Sequence, residues 1–225
     1  MQPLFNPVWH ALNGRDERFN LGNDKTSFFP ADVSPFVGMP DWSQSQQHLL
    51  YTSLPSGRSW SVMIAEEVLF SADWETRFST TLHQMVCKKL VPAHYIDTAC
   101  QPLSEKNVPA MLALTALTKP GPFYKKTIAF GNFKGIFDGE ELVAMAGERL
   151  HIEGYTEVSA VCTHPDYEGR GYGAILVSEI CRQIIDRGET PFLHVKWDNQ
   201  RAIKMYERLG FSHHTDMFFA VFAAR

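Results

Sequence analysis

Apolar positions are scattered through the N-terminal part of this chain and fall into clean periods from Tyr95 onward. Before that point Trp9, Phe19, Phe28, Phe29 and Phe36 stand among Pro30, Pro35 and Pro40, a pattern of short strands and turns. Residues 43–54 suit a helix ended by Pro55-Ser56-Gly57. Residues 59–70, with Trp60, Val62, Ile64, Val68 and Leu69, suit a strand and turn. Residues 78–91 suit another strand, because Leu82, Gln84 and Val86 alternate with His83 and Met85.

From Tyr95 a short strand runs to Leu103, and Ser104 is placed to cap a helix. Val108, Met111, Leu112, Ala116 and Leu117 recur at helical spacing until Lys119-Pro120-Gly121-Pro122 stops it. Residues 133–137 and 142–150 flank Asp138-Gly139, a hairpin signal, and Gly154-Tyr155 turns the chain into a third strand over 157–163. A glycine-rich loop follows, then a helix with Ile175, Leu176, Ile180, Ile184 and Ile185 that Gly188 ends. A strand over 191–197, a helix over 199–209 capped by Asp198 or Asn199, and a closing strand over 216–224 complete an α+β pattern. Residues 1–94 read as a scaffold domain and 95–225 as a second domain.

Composition narrows the function. The 225 residues are 44% apolar and 20% charged, ordinary for a globular chain with a real core. A net charge of −4 with no basic face argues against general nucleic-acid binding. Cys87, Cys100, Cys162 and Cys181 show neither Cys-x-x-Cys pairing nor metal-ligand spacing with histidine. Reduced, buried thiols and a cytoplasmic setting are expected. Residues 1–20 hold no apolar core of a signal peptide, and no run approaches the roughly 18 apolar residues of a membrane span.

The chemistry is concentrated between residues 157 and 211. Strand, glycine loop and helix form a phosphate-binding device, since glycines free backbone N–H groups and the helix N-terminus adds positive charge. Gly169, Gly171 and Ala174 satisfy the relaxed dinucleotide fingerprint, with Asp198 as the ribose acid. Yet His164 to Glu168 separate the strand from the first glycine, and too little chain follows Asp198 for a doubly wound sheet. No Gly-Lys-Ser/Thr follows either, so a P-loop is excluded.

Glu168-Gly169-Arg170-Gly171-Tyr172-Gly173 instead resembles Gln/Arg-x-x-Gly-x-Gly/Ala, motif A of the GNAT superfamily of acyl-CoA-dependent N-acyltransferases, with Glu168 departing from its first position. Asn199, Ala202, Tyr206, Gly210 and Phe211 are similar to that family's motif B, Asn-x-x-Ala-x-x-x-Tyr-x-x-x-Gly-Phe. The resemblance covers roughly residues 95 to 225. It implies a mixed, mostly antiparallel sheet flanked by helices, and a cofactor-like co-substrate, acetyl-CoA or another short acyl-CoA, with no metal. For residues 1–94 it allows a scaffold or a degenerate copy of the same fold.

It also implies roles. Gly169, Arg170, Gly171, Tyr172, Gly173 and Ala174 would hold the pyrophosphate, with a solvated loop charge as the lesser reading of Arg170. Backbone near Val161, Cys162 and Thr163 would meet the thioester. Glu157 would be the base, on a strand face open to substrate, with an edge carboxylate, or Glu148 and His151 on the preceding strand, as competing readings. Tyr206 would return a proton to the thiolate or simply pack the core, and Asn199 would bind the pantetheine arm, cap its helix, or both. Phe123, Tyr124 and Ser159 are candidate acceptor contacts. The expected reaction is acetyl transfer to a primary amine of a small molecule or peptide, with a non-catalytic acyl-CoA-binding module as the alternative. Neither nucleic acid nor membrane is an expected partner, and a homodimer is left open.

Overall fold

The computed structural model describes residues 2–93 and 100–225 of the protein. In chain order the elements are α1 (Pro7–Leu12), β1 (Ser27–Phe28), β2 (Val37–Gly38), α2 (Gln44–Ser53), β3 (Trp60–Ile64) and β4 (Trp74–Cys87). They continue with β5 (Gln101–Pro102), α3 (Val108–Thr118), β6 (Lys134–Asp138), β7 (Glu141–Ile152), β8 (Tyr155–Thr163), α4 (Tyr172–Asp186), β9 (Thr190–Lys196), α5 (Gln200–Arg208) and β10 (Phe211–Ala224). The strand expected from Tyr95 lies mostly outside the described residues, of which only β5 belongs to it.

Eight strands form one sheet in the order β3-β10-β4-β9-β8-β7-β6-β5, antiparallel throughout except for β8 against β9. A boundary at residue 94 therefore divides neither the sheet nor the core. β4, from the N-terminal part, is inserted between β10 and β9. Leu4, Val8, Phe29 and Met63 pack in the same cluster as Met145, Ile152, Phe192 and Met217. The last residues of β4, Gln84 to Cys87, are buried on both faces, as suits a strand inside a sheet that is covered on each side.

The two faces are covered differently. On one, α4 lays Ile175, Leu176, Ile180, Cys181 and Ile184 onto Val143, Ala144, Val158 and Leu193, joined by Tyr206 and Leu209 from α5 and its end. Each such aliphatic side chain contributes roughly 1.5–3 kcal/mol by leaving water. The other face is closed by α1, α3, the N-terminal loops and the segment before β6, through Leu4, Val8, Phe36, Met111 and Phe133.

The pairing of β8 is irregular. Met145 faces Cys162 and Gly147 faces Ser159, so β8 holds one extra residue there, and Ala160 takes a left-handed φ of 53°. Strand alternation alone would put Val161 and Thr163 on the side of Glu157 and Ser159. The bulge turns them to the α4 face and brings Cys162 to the other.

The N-terminal segment is also tied to β7 by charge. His151 donates its backbone N–H to Asp16 Oδ2 at 2.9 Å, and its ring meets Asp16 Oδ1 at 2.8 Å and Glu148 Oε2 at 3.3 Å. Glu148 also accepts from Asn132 at 2.9 Å and Arg187 at 2.8 Å. Burial disfavours the imidazolium, but the hydrogen bonds and charges of Asp16 and Glu148 outweigh it and raise the His151 pKa to about 9. A raised pKa gives stability that is complete below the unfolded value near 6.5 and lost as pH rises through about 9. This group then contributes on the order of 2–3 kcal/mol at neutral pH. Urea unfolding between pH 7 and pH 10 is expected to show that loss, and Asp16→Asn should flatten it.

Candidate functional site

The glycine loop joins β8 to α4 through a 3-10 turn, Pro165–Tyr167, whose first amide is capped by His164 Nδ1 accepting from Asp166 N at 3.2 Å. Gly169 and Gly171 have φ of 79° and 81°, a region that costs any side chain, and Gly171 is the N-cap of α4. The first-turn N–H groups of α4, from Tyr172 to Ala174, have no acceptor within the helix and point out at its positive end. Arg170 stacks its guanidinium 4.5 Å from the Tyr167 ring and donates to Asp166 O at 3.4 Å, leaving it exposed beside the loop. Glu168, the acid at variance with an anion site, is paired with Arg201 on α5. That pairing draws its charge away from the loop amides.

Three elements converge below the loop. A methyl group on Gly173 would stand 3.5 Å from Met205 Sδ, 3.8 Å from Thr163 Oγ1 and 3.9 Å from Val161 Cγ1. The missing side chain keeps open the space between the start of α4, the end of β8 and α5. Tyr206 enters the same face from α5, 7% exposed, with its ring 5.8 Å from Phe211. Burial, then the nearby Cys181 and Cys162, push its phenol well above the usual tyrosine range, so the proton stays on. Asn199 Oδ1 accepts from Ala202 N at 3.1 Å and caps α5, one of the two roles expected of it.

The sheet itself opens here. β8 and β9 pair only at Tyr155–Thr190, Thr156–Pro191 and Glu157–Phe192. Beyond that, among the described residues, β8 pairs with β7 alone and β9 with β4 alone, which leaves a splay through the sheet. Glu157 sits at its apex and is not on an open face. It is 1% exposed, on the side that the N-terminal segment covers. Arg149 Nε and Nη2 donate to its two oxygens at 2.7 and 2.6 Å, and His194 Nδ1 lies 2.7 Å from Oε1. Arg149 in turn stands over Phe36 at 4.9 Å.

Burial alone would raise the Glu157 pKa. The Arg149 charge, then the hydrogen bonds of His194 and Arg149, overcome it and hold the carboxyl at about 2. Behind His194, Gln84 Nε2 donates to Leu4 O at 2.8 Å and lies 3.0 Å from His194 Nε2. An amide nitrogen can only donate, so the imidazole carries its proton on Nδ1 and gives it to Glu157. Sequence reasoning did not find Arg149, His194 or Gln84. Only Arg149, eight residues from Glu157 across the β7–β8 hairpin, has a local signal, as an opposite charge on a neighbouring strand.

Glu148 and His151, the other candidate bases, are engaged with Asp16, Asn132 and Arg187 instead. Among the aromatic candidates, Phe123 packs edge-on against Phe133 at 5.7 Å, and Phe133 fills the space a side chain at Gly147 would occupy. Gly147 pairs with Ser159, so Phe123 and Ser159 share the face of Glu157. Tyr124 is 37% exposed and stands near Arg58.

Comparison with known proteins places this geometry. The family model described as FR47-like protein matches residues 134–220. The crystal structure of a putative acetyltransferase from the GNAT family of Novosphingobium aromaticivorans superposes with a TM-score of 0.92 and 30% identity over 100% of both chains. A GCN5-related N-acetyltransferase from Kribbella flavida shares the fold, with a TM-score of 0.66 and 16% identity over 96% of this chain and 93% of that one. Mycothiol acetyltransferase of Streptomyces scabiei is 37% identical over 86 residues, and that of Rhodococcus jostii 41% over 66. These matches take in 37% and 28% of this chain and span only 28% and 22% of those relatives' lengths.

Removing one member of the apex trio should cost far more than an ordinary surface change. Glu157→Gln leaves Arg149 buried without a counter-charge and is expected to cost about 3–5 kcal/mol in urea unfolding. Adding Arg149→Met to it should recover part of that loss.

Proposed function

Since the chain belongs to the GNAT family of acetyltransferases, we propose that it transfers an acetyl group from acetyl-CoA to a primary amine by direct attack on the thioester. The observation that carries this reading is the pair of left-handed glycines capping α4 at the mouth of the β8–β9 splay. A co-substrate with a pyrophosphate fits the residues present: outward amides at a helix N-terminus, an exposed Arg170, a Glu168 tied away by Arg201, and no side chain at Gly173. Gly169 to Ala174 would hold it, and Asn199 and Thr163 would flank its arm. Acetyl-CoA supplies the activated acetyl carbonyl and a thiolate leaving group.

The remaining roles belong to the protein. Backbone N–H groups near Val161 and Cys162, beside the Ala160 bulge, would be the donors to an oxygen that turns negative. The new N–C bond forms as the C–S bond breaks. Tyr206, kept protonated by burial, gives its proton to the sulfur and regains one from the nitrogen through solvent.

A carboxyl held at about 2 takes up a proton weakly. Glu157, with both oxygens held by Arg149, therefore fixes the apex of the splay on the face that the N-terminal segment covers, and the amine's proton leaves through solvent. Phe123 and Ser159, on that same face, line the approach of the acceptor, with Tyr124 nearer the surface. The two faces of the sheet thus present the two substrates, and the splay is where they meet. The acceptor class is a small-molecule or peptide amine.

The decisive experiment titrates acetyl-CoA and NAD into the protein and into Gly171→Glu, then measures thiol release over an amine panel. Acetyl-CoA binding that the variant loses, with turnover of at least one amine, is the expected result. Binding without turnover would make the chain a non-catalytic acyl-CoA module, and NAD binding alone would overturn the assignment. Tyr206→Phe removes a hydroxyl that has no hydrogen bond among the described residues, so the fold should persist while kcat falls by roughly 10²-fold.

A further inference from the structure

A second cluster of chemically capable side chains lies outside the splay, on the strands β4 and β10. His83 Nδ1 lies 2.7 Å from Asp216 Oδ1, and His213 Nε2 lies 2.8 Å from the same oxygen. The two imidazoles stand edge to face with centroids 4.9 Å apart. All three donor atoms fall within 4.8 Å of one another. We propose that His83, His213 and Asp216 form a binding site for one divalent transition-metal ion of the zinc type.

The backbone makes the case. His213 and Asp216 are three residues apart, and in a regular strand such positions point to opposite faces. Here the register shifts between His213 and Thr215, so that His213 faces Met85 while Asp216 faces His83. His83 and Met85 lie on one face of β4, and the extra residue, His214, therefore swings His213 onto the face of Asp216. The irregularity assembles three ligands that a straight strand would separate.

The chemistry suits such an ion. Two neutral imidazoles and one carboxylate are borderline donors preferred by zinc, nickel or cobalt over calcium or magnesium. Tetrahedral bonds of about 2.0–2.2 Å need donor atoms about 3.3 Å apart. The ion would replace the protons now shared between imidazoles and carboxylate, and each imidazole–carboxylate distance would lengthen by about 0.5 Å. With side-chain exposures of 28% for His83, 52% for His213 and 61% for Asp216, water can reach the ion and complete its coordination. His83 and Asp216 are 133 positions apart in the chain, so sequence spacing gave no warning. A bound ion would cross-link β4, from the N-terminal part, to the closing strand β10.

The test uses metal-stripped protein without a histidine tag, titrated with Zn²⁺ by calorimetry and with Co²⁺ by visible absorption. Saturable binding of one ion, with low-symmetry cobalt bands and a higher melting temperature in zinc, is the expected result. His213→Ala and Asp216→Asn should each weaken binding at least tenfold and abolish the thermal shift. Both residues are exposed, and circular dichroism of each variant checks that the fold is kept. No saturable binding, or binding that survives both substitutions unchanged, would overturn the proposal.

Discussion

The divergence of β8 from β9 is the constraint on which the rest of this structure depends. A parallel pair that stops after three residues leaves each strand with a ladder on one side only, and the gap between them runs through the sheet. Something must hold the strands together where the ladder ends. Glu157 does so from the last paired position, reaching Arg149 on β7 and His194 on β9. A buried ion pair gives back little net stability, because desolvation costs several kcal/mol per ion. What a bidentate, fully bonded trio supplies is a fixed geometry. The apex stays put while the strands beyond it stay apart.

That geometry depends on the N-terminal part of the chain, through β4. Gln84 fixes the proton position of His194 and is itself held by Leu4 O, while Phe36 closes over Arg149. β4 supplies the ladder that β9 would otherwise lack, and β10 pairs along nearly its whole length with β4. Residues that look like an appended scaffold are thus one wall of the site. They also cover the face on which Glu157 lies, which is why its carboxylate is buried.

The legible and illegible parts of the sequence divide along physical lines. Glycine loop, capped helix and hairpin are local, set by residues within a few positions of one another, and the loop over 168–174, α4, α5 and the β6–β8 meander were all readable. Helical period alone marked the buried stripe of α4 from Ile175 to Ile184. The joint sheet was not readable, because β4 reads as well for a small separate domain as for an inserted strand. Nor was the state of Glu157, which depends on Arg149, His194 and Gln84 meeting from three strands. Residue type gave a carboxylate at the right place on the strand. The pairing that lowers its pKa is tertiary.

Both clusters of chemistry rest on the same kind of departure from regular structure. Period-two alternation assigns Val161 and Thr163 to the side of Glu157, and His213 to the side opposite Asp216. In each case one extra residue reverses the assignment: Ala160 in β8, with its positive φ, and His214 in β10. A bulge interrupts a ladder and leaves a residue unpaired. It persists only where neighbouring strands hold both sides of the interruption, as β7 does for β8 and β4 for β10. The long antiparallel ladders are therefore what allow the bulges, and the bulges aim the side chains. Through the first, a strand presents Ser159 to one face of the sheet and Val161 to the other within two residues.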